Sequence, residues 1–352
     1  VWEATNEGWM VLGDLLARRA GLLDPLIDTS ALDLPGTVAE LAASFSAGDA
    51  RDDYEAVLDR VRRKVGEVRF ALGVQLIEGT HDPLEISAAL SHVAEATIEV
   101  LGQAAWAEFR RAHGTIPGSE LVVLGLGRMG GGALTHASDL DLVFLFTDGS
   151  GGESDGPRPL GPSLYYNRLA QRVSAALSVA TAEGALFEVD TRLRPSGEQG
   201  PLAVNFDSFT RYQQEQAETW EHMALCRARV LFGSQEARTE LVGIVSDALL
   251  KPRDPKKLRA DVLEMRGTIA SHKPAKGPLD IKLARGGLVD LEFLTHYLQL
   301  QHGAGLEGGL TPFLGDALGV LSGADLVPES LRNAHDTLSR LLVALRLLAP
   351  DS

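Results

Sequence analysis

The stretch SDLDLVFLF, Ser138 to Phe146, decides how this sequence reads, because it joins a run apolar enough for the middle of a sheet to two carboxylates at its start. Leu140, Leu142, Val143, Phe144, Leu145 and Phe146 favour burial, whereas Asp139 and Asp141 resist it. On an extended strand, side chains at i and i+2 share a face, so the two acids point the same way. Adjacent carboxylates repel one another unless a cation sits between them. Taken alone, the pair also allows a plainer reading, a solvated strand start with Asp139 as a turn residue.

A second stretch, FEVDTRLRP from Phe187 to Pro195, tilts the balance. Glu188, Asp190, Arg192 and Arg194 alternate with Phe187, Val189, Thr191 and Leu193, so one face is apolar and the other runs from acid to base. By itself this is the exposed face of a half-buried sheet, with ion pairs worth little each. Beside the first strand, however, Asp190 completes a three-carboxylate cluster with two arginines close by. Mg²⁺ takes oxygen ligands, is held by a few carboxylates and fills its other positions with water and phosphate oxygens. Two such ions activate an attacking hydroxyl and neutralise a nucleotide's phosphates during in-line displacement. Glycines before the strand let backbone approach those phosphates, Ser138 can donate to one, and Arg192 and Arg194 supply local positive charge.

Gly125, Gly127 and Gly130 fall in the G-x-G-x-x-G spacing of a dinucleotide-binding turn. That reading requires a helix and a parallel strand to follow, and only Gly131 to Ser138 separate the glycines from the next strand. A tight turn needing positive φ is the simpler account of some of these glycines.

Around this segment the chain is helical. Apolar positions recur at three and four residues from Tyr54 to Gly114, TIPG at residues 115–118 breaks the pattern, and three strands follow: Glu120 to Leu126, Asp139 to Phe146 and Leu186 to Leu193. A helix from Ser163 to Ala182 lies between the last two, after a Gly-, Pro- and Ser-rich loop expected to be mobile. Helical spacing returns over Phe206 to Leu231, Lys257 to Ser271 and Leu288 to Leu300, with more helix beyond Pro312. The expectation is an α+β protein with a small mixed sheet flanked by helical bundles: residues 1–117 a helical region, 118–205 the catalytic core and 206–352 a second helical region.

At 352 residues, 45% hydrophobic, the chain is long enough for two or three cores. A formal net charge of −15 argues against binding nucleic acid or an anionic membrane by bulk electrostatics. The single cysteine, Cys226, cannot form an internal disulfide, and no apolar run approaches the roughly 20 residues that cross a bilayer, so a reducing cytoplasm is the expected location. The start at Val1 and the end on LAPDS suggest a fragment of something longer.

Four ordered blocks, GLGRMGGGALTHASDLDLVFLF, LFEVDTRLRPSGEQGPL, FTRYQQEQAETWEHMALCRARVLFG and DIKLARGGLVDLEFLTHYLQL, resemble the glutamine synthetase adenylyltransferase and adenylyl-removing family, within the polymerase-β-like nucleotidyltransferases. Members carry two homologous halves, and the wording EVDTRLRPSG with WEHMALCRARV is more similar to the C-terminal, adenylylating half. The resemblance implies Mg²⁺-dependent transfer of AMP from ATP to a tyrosine of glutamine synthetase, with Asp139, Asp141 and Asp190 as metal ligands and Asp190 also a candidate base. It makes Gly130, Gly131 and Ser138 the phosphate-side loop, with Glu188 a further acid on the same face. Arg128 and Met129 stand where Lys and Leu are expected, which keeps charge and apolar bulk.

Lys282, Asp290 and Glu292 match the last block, which implies that Lys282 reaches a phosphate and the acids orient it, against a capping turn and a surface ion pair. Trp220, Glu221 and His222 fit a helix with a core aromatic as well as an adenine contact. His136 reads as a loop residue and Cys226 as a small buried one. Glutamine and a PII signal-transduction protein are the implied effectors. Two rivals remain: the same fold removing AMP by phosphorolysis, and a regulatory binding module with catalysis elsewhere.

Overall fold

A computed structural model describes residues 33–49, 52–149, 151–277 and 280–348. Residues 1–32 of the expected N-terminal region and residues 349–352 lie outside the described residues. Each early helix opens on a side chain that satisfies its free N–H groups. Thr37 caps α1 (Val38–Ser46) in a capping box with Glu40, Asp53 caps α2 (Tyr54–Glu78), and Asp82 with Glu85 caps α3 (Pro83–His113). Gly79 and Gly114 close α2 and α3 at φ of 68° and 69°.

The sheet then forms from β1 (Leu121–Gly125) and β2 (Leu140–Phe146), an antiparallel pair joined through the short helix α4 (Gly127–Gly130). This pairing removes the parallel crossover that a dinucleotide-binding turn would need. After α5 (Pro162–Ser178), β3 (Val189–Asp190) and β4 (Ala203–Asn205) both run parallel to β2 along the same edge. On the far side β5 (Arg229–Phe232) pairs antiparallel with β1, with an irregularity at Val123 and Leu124. The sheet is mixed, in the order β3-β2-β1-β5, with β4 beside β3 on the edge of β2.

Alternation along β2 divides the sheet between two cores. Leu140, Leu142, Phe144 and Phe146 pack on the layer of α1, α2, α3 and α5. Val143 and Leu145 pack on the opposite layer. That layer comprises α6 (Phe206–Glu215), α7 (Thr219–Leu225), α8 (Gln235–Leu250), α9 (Pro255–His272) and one end of α10 (Leu288–His302). The last helices, α11 (Leu314–Gly323) and α12 (Ser330–Leu348), pack on α10, and α12 also reaches α3. Burying each large apolar side chain in these cores contributes about 1.5–3 kcal/mol.

Two expectations are corrected. The helix expected over Phe206 to Leu231 is two helices and a strand, so the sheet draws on residues past 205. The strand expected over Leu186 to Leu193 is reduced to Val189 and Asp190, and β4 was not foreseen. The loop before α5 carries its own hydrogen bonds: Asp155 accepts from the Thr115 amide at 2.6 Å, and Ser154 and Leu160 bond to each other. Gly114 and Gly156 permit this, since a Cβ on Gly114 would lie 2.3 Å from the Gly156 nitrogen.

Candidate active site

Asp139 and Asp141 keep the parity of Val143 and Leu145, so they lie on the face covered by the C-terminal helices, but at the end of the strand where that cover stops. Asp139 is exposed and Asp141 half-buried. In the parallel β2/β3 ladder Asp141 stands directly beside Asp190, and Leu140 donates to the Glu188 carbonyl at 2.9 Å. One carboxylate oxygen from each of Asp139, Asp141 and Asp190 lies within 4.8 Å of the others.

Burial, and then the charges of Asp139 and Asp190, push the Asp141 carboxyl up to about 6, against the pull of Arg227 and Lys282. Asp190 is shifted the opposite way, because the Arg192 guanidinium holds its carboxyl below the usual range. Arg192 Nε lies 3.0 and 2.9 Å from the two Asp190 oxygens, its Nη2 also donates there, and its amide donates at 2.8 Å. The oxygen donors and the repulsion stored at Asp141 suit a hard divalent cation, which would relieve both.

Asp139 and Asp190 open on a cleft of about 600 Å³ that Glu188, Arg192, Arg194 and Glu198 also line. Arg194 is less free there than its sequence position suggests, since it donates to the Thr191 carbonyl at 2.8 Å and to the Gly200 carbonyl at 3.3 Å, curling the loop after β3. Lys282 lies within electrostatic reach of Asp139 and Asp141; burial, then Arg128, lowers its pKa.

The glycine turn is packed from behind. A Cβ on Gly130 would fall 1.9 Å from the Arg227 carbonyl oxygen, and one on Gly131 would fall 2.4 Å from Arg227 Nη2. Arg229 donates to the Gly130 and Met129 carbonyls at 3.2 and 3.3 Å while pairing with Glu95 at 2.6 Å. Ser138 folds back on Thr135, its Oγ accepting from the Thr135 amide at 2.9 Å.

The remaining candidates lie apart from the three acids. Asp290 accepts from Arg266 and from the Gly286 amide, fixing the turn before α10, and Glu292 pairs with Arg227 at 2.8 Å. Burial alone would raise Glu292; Arg227 and Arg128 hold it below the usual range. Trp220 and His222 line a separate groove between α7 and α9, and Glu221 accepts from Tyr212 at 2.8 Å. His136 donates from Nε2 to the Arg69 carbonyl at 3.0 Å, and burial pushes its pKa down to about 4. Cys226 is buried, with its thiol pushed up to about 12.

Sequence reasoning named Gly127 only within a turn needing positive φ, which its φ of 52° bears out, and missed Arg227 and Arg229. The alternation RARVLF carried the signal for the two arginines, in the same form that exposed Asp190.

Two acids at the start of a central strand, a third on its parallel neighbour and a glycine turn against them, on a small mixed sheet between helical layers, give this protein the core of a nucleotidyltransferase. A sequence model of the family described as glutamate-ammonia ligase adenylyltransferase matches residues 10–243, and the chain belongs to that family. Three curated relatives bear the name bifunctional glutamine synthetase adenylyltransferase/adenylyl-removing enzyme. That of Mesorhizobium japonicum is 44% identical over 301 residues, covering 84% of this chain and 30% of the relative. The Brucella suis protein is 39% identical over 357 residues (97% and 35%), and the Rhizobium meliloti protein 42% over 299 residues (82% and 30%). The chain thus spans about a third of the length of these relatives.

Proposed function

We propose that this chain transfers AMP from ATP to a tyrosine of glutamine synthetase and releases pyrophosphate. The observation that carries the reading is the convergence of Asp139, Asp141 and Asp190 within 4.8 Å beside a glycine turn. The acceptor protein comes from the names of the relatives, and the tyrosine from the resemblance of the chain's own blocks.

Asp139, Asp141 and Asp190 would hold Mg²⁺, two ions by analogy with in-line phosphoryl displacement, which would supply charge neutralisation at the phosphates and lower the pKa of the acceptor hydroxyl. In the transfer itself the tyrosine oxygen bonds to the α-phosphorus, the bond to pyrophosphate breaks, and the hydroxyl proton passes to solvent water. Arg192, Arg194 and Lys282 supply positive charge at the cleft for the phosphates, and Gly127 leaves room for Asp141. The grip of Arg192 lowers the basicity of Asp190, which favours the ligand role over that of a base unless Arg192 moves away.

The second reading is phosphorolytic removal of AMP by the same site, since the names of the relatives carry both activities. The wording of EVDTRLRPSG and WEHMALCRARV supports the adenylylating direction. Incubating the chain with unmodified glutamine synthetase and Mg²⁺·ATP, and with adenylylated glutamine synthetase and phosphate, separates the two. AMP transfer that survives D139N and D141N would sink both. Control by glutamine and a PII protein, and a cytoplasmic place of action, belong to the same proposal; among the described residues no helix is long and apolar enough to cross a membrane.

A further inference from the structure

The three acids stand on two strands that share a ladder of only two residue pairs, Leu140 beside Val189 and Asp141 beside Asp190. So short a pairing does not by itself hold the third acid at a set distance from the first two. The segments that lead into these strands both approach α2, and Arg69 of that helix bonds to each of them.

Arg69 Nη1 donates to the Leu186 carbonyl and Nη2 to the His136 carbonyl, each at 2.7 Å. Leu186 lies four residues before Asp190, and His136 three before Asp139. The His136 ring answers in the other direction, its Nε2 donating to the Arg69 carbonyl at 3.0 Å, so helix and loop hold each other by two bonds. The guanidinium lies over the Phe187 ring, 5.0 Å from its centre. From α3, Ser87 donates to the Leu134 carbonyl at 2.8 Å and Ser91 accepts from the Leu134 amide at 3.1 Å. The His136 end of the fork is thus anchored on two helices, while the Leu186 end is tied to α5 through the Phe187 amide and the Leu177 carbonyl at 3.2 Å.

Among the described residues no carboxylate pairs with Arg69, and burial pulls its pKa down to about 10. A charge withdrawn from water to serve backbone carbonyls is costly if its role is to fill space, which Met would do without desolvation. A guanidinium supplies what Met lacks, donors fixed in a planar fork, and such a fork sets the separation of the two carbonyls that it bonds.

We propose that Arg69 is a positioning residue for the acids: by spanning the His136 and Leu186 carbonyls it sets the distance between Asp139 and Asp141 on one segment and Asp190 on the other. The proposal rests on the reading of these acids as a metal site. It gives the N-terminal helical layer a part in the chemistry, since α2 reaches the acids through both of the segments that carry them.

The test compares the 352-residue chain with R69K, which keeps the charge without the fork, and with R69M. Amide hydrogen exchange is followed without metal, and Mn²⁺ binding by electron paramagnetic resonance. The Leu140 amide donates to the Glu188 carbonyl across the two strands at 2.9 Å, so it reports their register directly. Its exchange should quicken about tenfold in R69K while the amides of β1 keep their wild-type rates, whereas a fold that is merely weakened quickens both. Mn²⁺ affinity should fall about tenfold in both variants, as it does on loss of groups that orient metal ligands. In a D190N background the further loss should be under about twofold, because the effect passes through that acid. Wild-type exchange at Leu140 in R69K, equal quickening of β1, or the same Mn²⁺ loss with and without D190N overturns the proposal. Should R69M fail to fold, R69K decides alone. Absence of Mn²⁺ binding to the unsubstituted chain refutes the metal reading, and the exchange of Leu140 still decides whether Arg69 sets the strands, so the two failures are distinct.

Discussion

A methyl group on Gly127 would lie 2.0 Å from Oδ2 of Asp141, and Gly127 has φ of +52°, where any side chain is strained. The glycine turn and the second acid are thus fitted to each other directly. Gly127→Ala is expected to cost about 1–2 kcal/mol of backbone strain. It should also displace the carboxylate and lower kcat for AMP transfer at least tenfold. The melting temperature should fall by only ~2–8 °C. A variant with wild-type kcat would show that the fit serves packing alone.

Asp141 should titrate near 6 in metal-free protein, where its ordinary value is 3.8. Carbon-13 NMR of the carboxyl checks this, and D139N should lower the value by removing a like charge. Addition of Mg²⁺ should drive it down further, and Mn²⁺ affinity should weaken as pH falls below about 6. An Asp141 pKa near 4 without metal would contradict the account of its burial and repulsion.

The same shift makes the metal-free fold lose stability as pH rises. Between pH 3.8 and about 6 the folded state keeps a proton on Asp141 that the unfolded chain has released, so ΔG of unfolding falls across that window and stays low above it. The full effect is at most about 3 kcal/mol. Asp190 has the opposite sign: the stability it contributes is present above its unfolded pKa and is lost as pH falls through its lowered folded value. D141N should therefore raise the melting temperature of metal-free protein at pH 7.5 while abolishing transfer. Calorimetry that finds D141N less stable would refute this.

Far from the cleft, Arg62 is 1% exposed and donates to the carbonyls of Leu58, Ala176, Val179 and Gly184 at 2.7 to 3.2 Å. It satisfies the C-terminal end of α5 from the side of α2. Arg62→Met keeps the bulk and strands those acceptors, so urea unfolding should show a loss of about 3 kcal/mol. Mn²⁺ affinity at the acids should be unchanged at temperatures where the variant is folded.

How far the sequence could be read depended on how each segment marks itself. Asp139 and Asp141 were legible because two acids spaced two residues apart lead directly into five consecutive apolar positions, Leu142 to Phe146. Asp190 was legible by alternation with apolar residues, but the strand around it was not. Its alternating pattern continues to Arg194, whereas the chain turns at Thr191, held by the Arg194 donors to Thr191 and Gly200. Such long-range closure leaves no periodic trace. Arg227 was hidden for another reason: no Pro or Gly marks the breaks near Gln216 and Cys226, so apolar spacing ran two helices and a four-residue strand into one. Lys282 and Glu292 carried family wording but no local geometry, because their neighbours come from α4 and from the start of β5.

The three carboxylates do not stand on equal ground. Asp139 and Asp141 lead into β2, whose residues from Leu142 to Phe146 are all buried, while Asp190 ends a strand of two residues and opens the loop to Gly200. The cluster has one fixed jaw and one movable jaw. Pressure on residues 191–200 would change the reach of Asp190 while β2 holds Asp139 and Asp141 in place, and the contact of Leu193 with the second core would pass that movement inward.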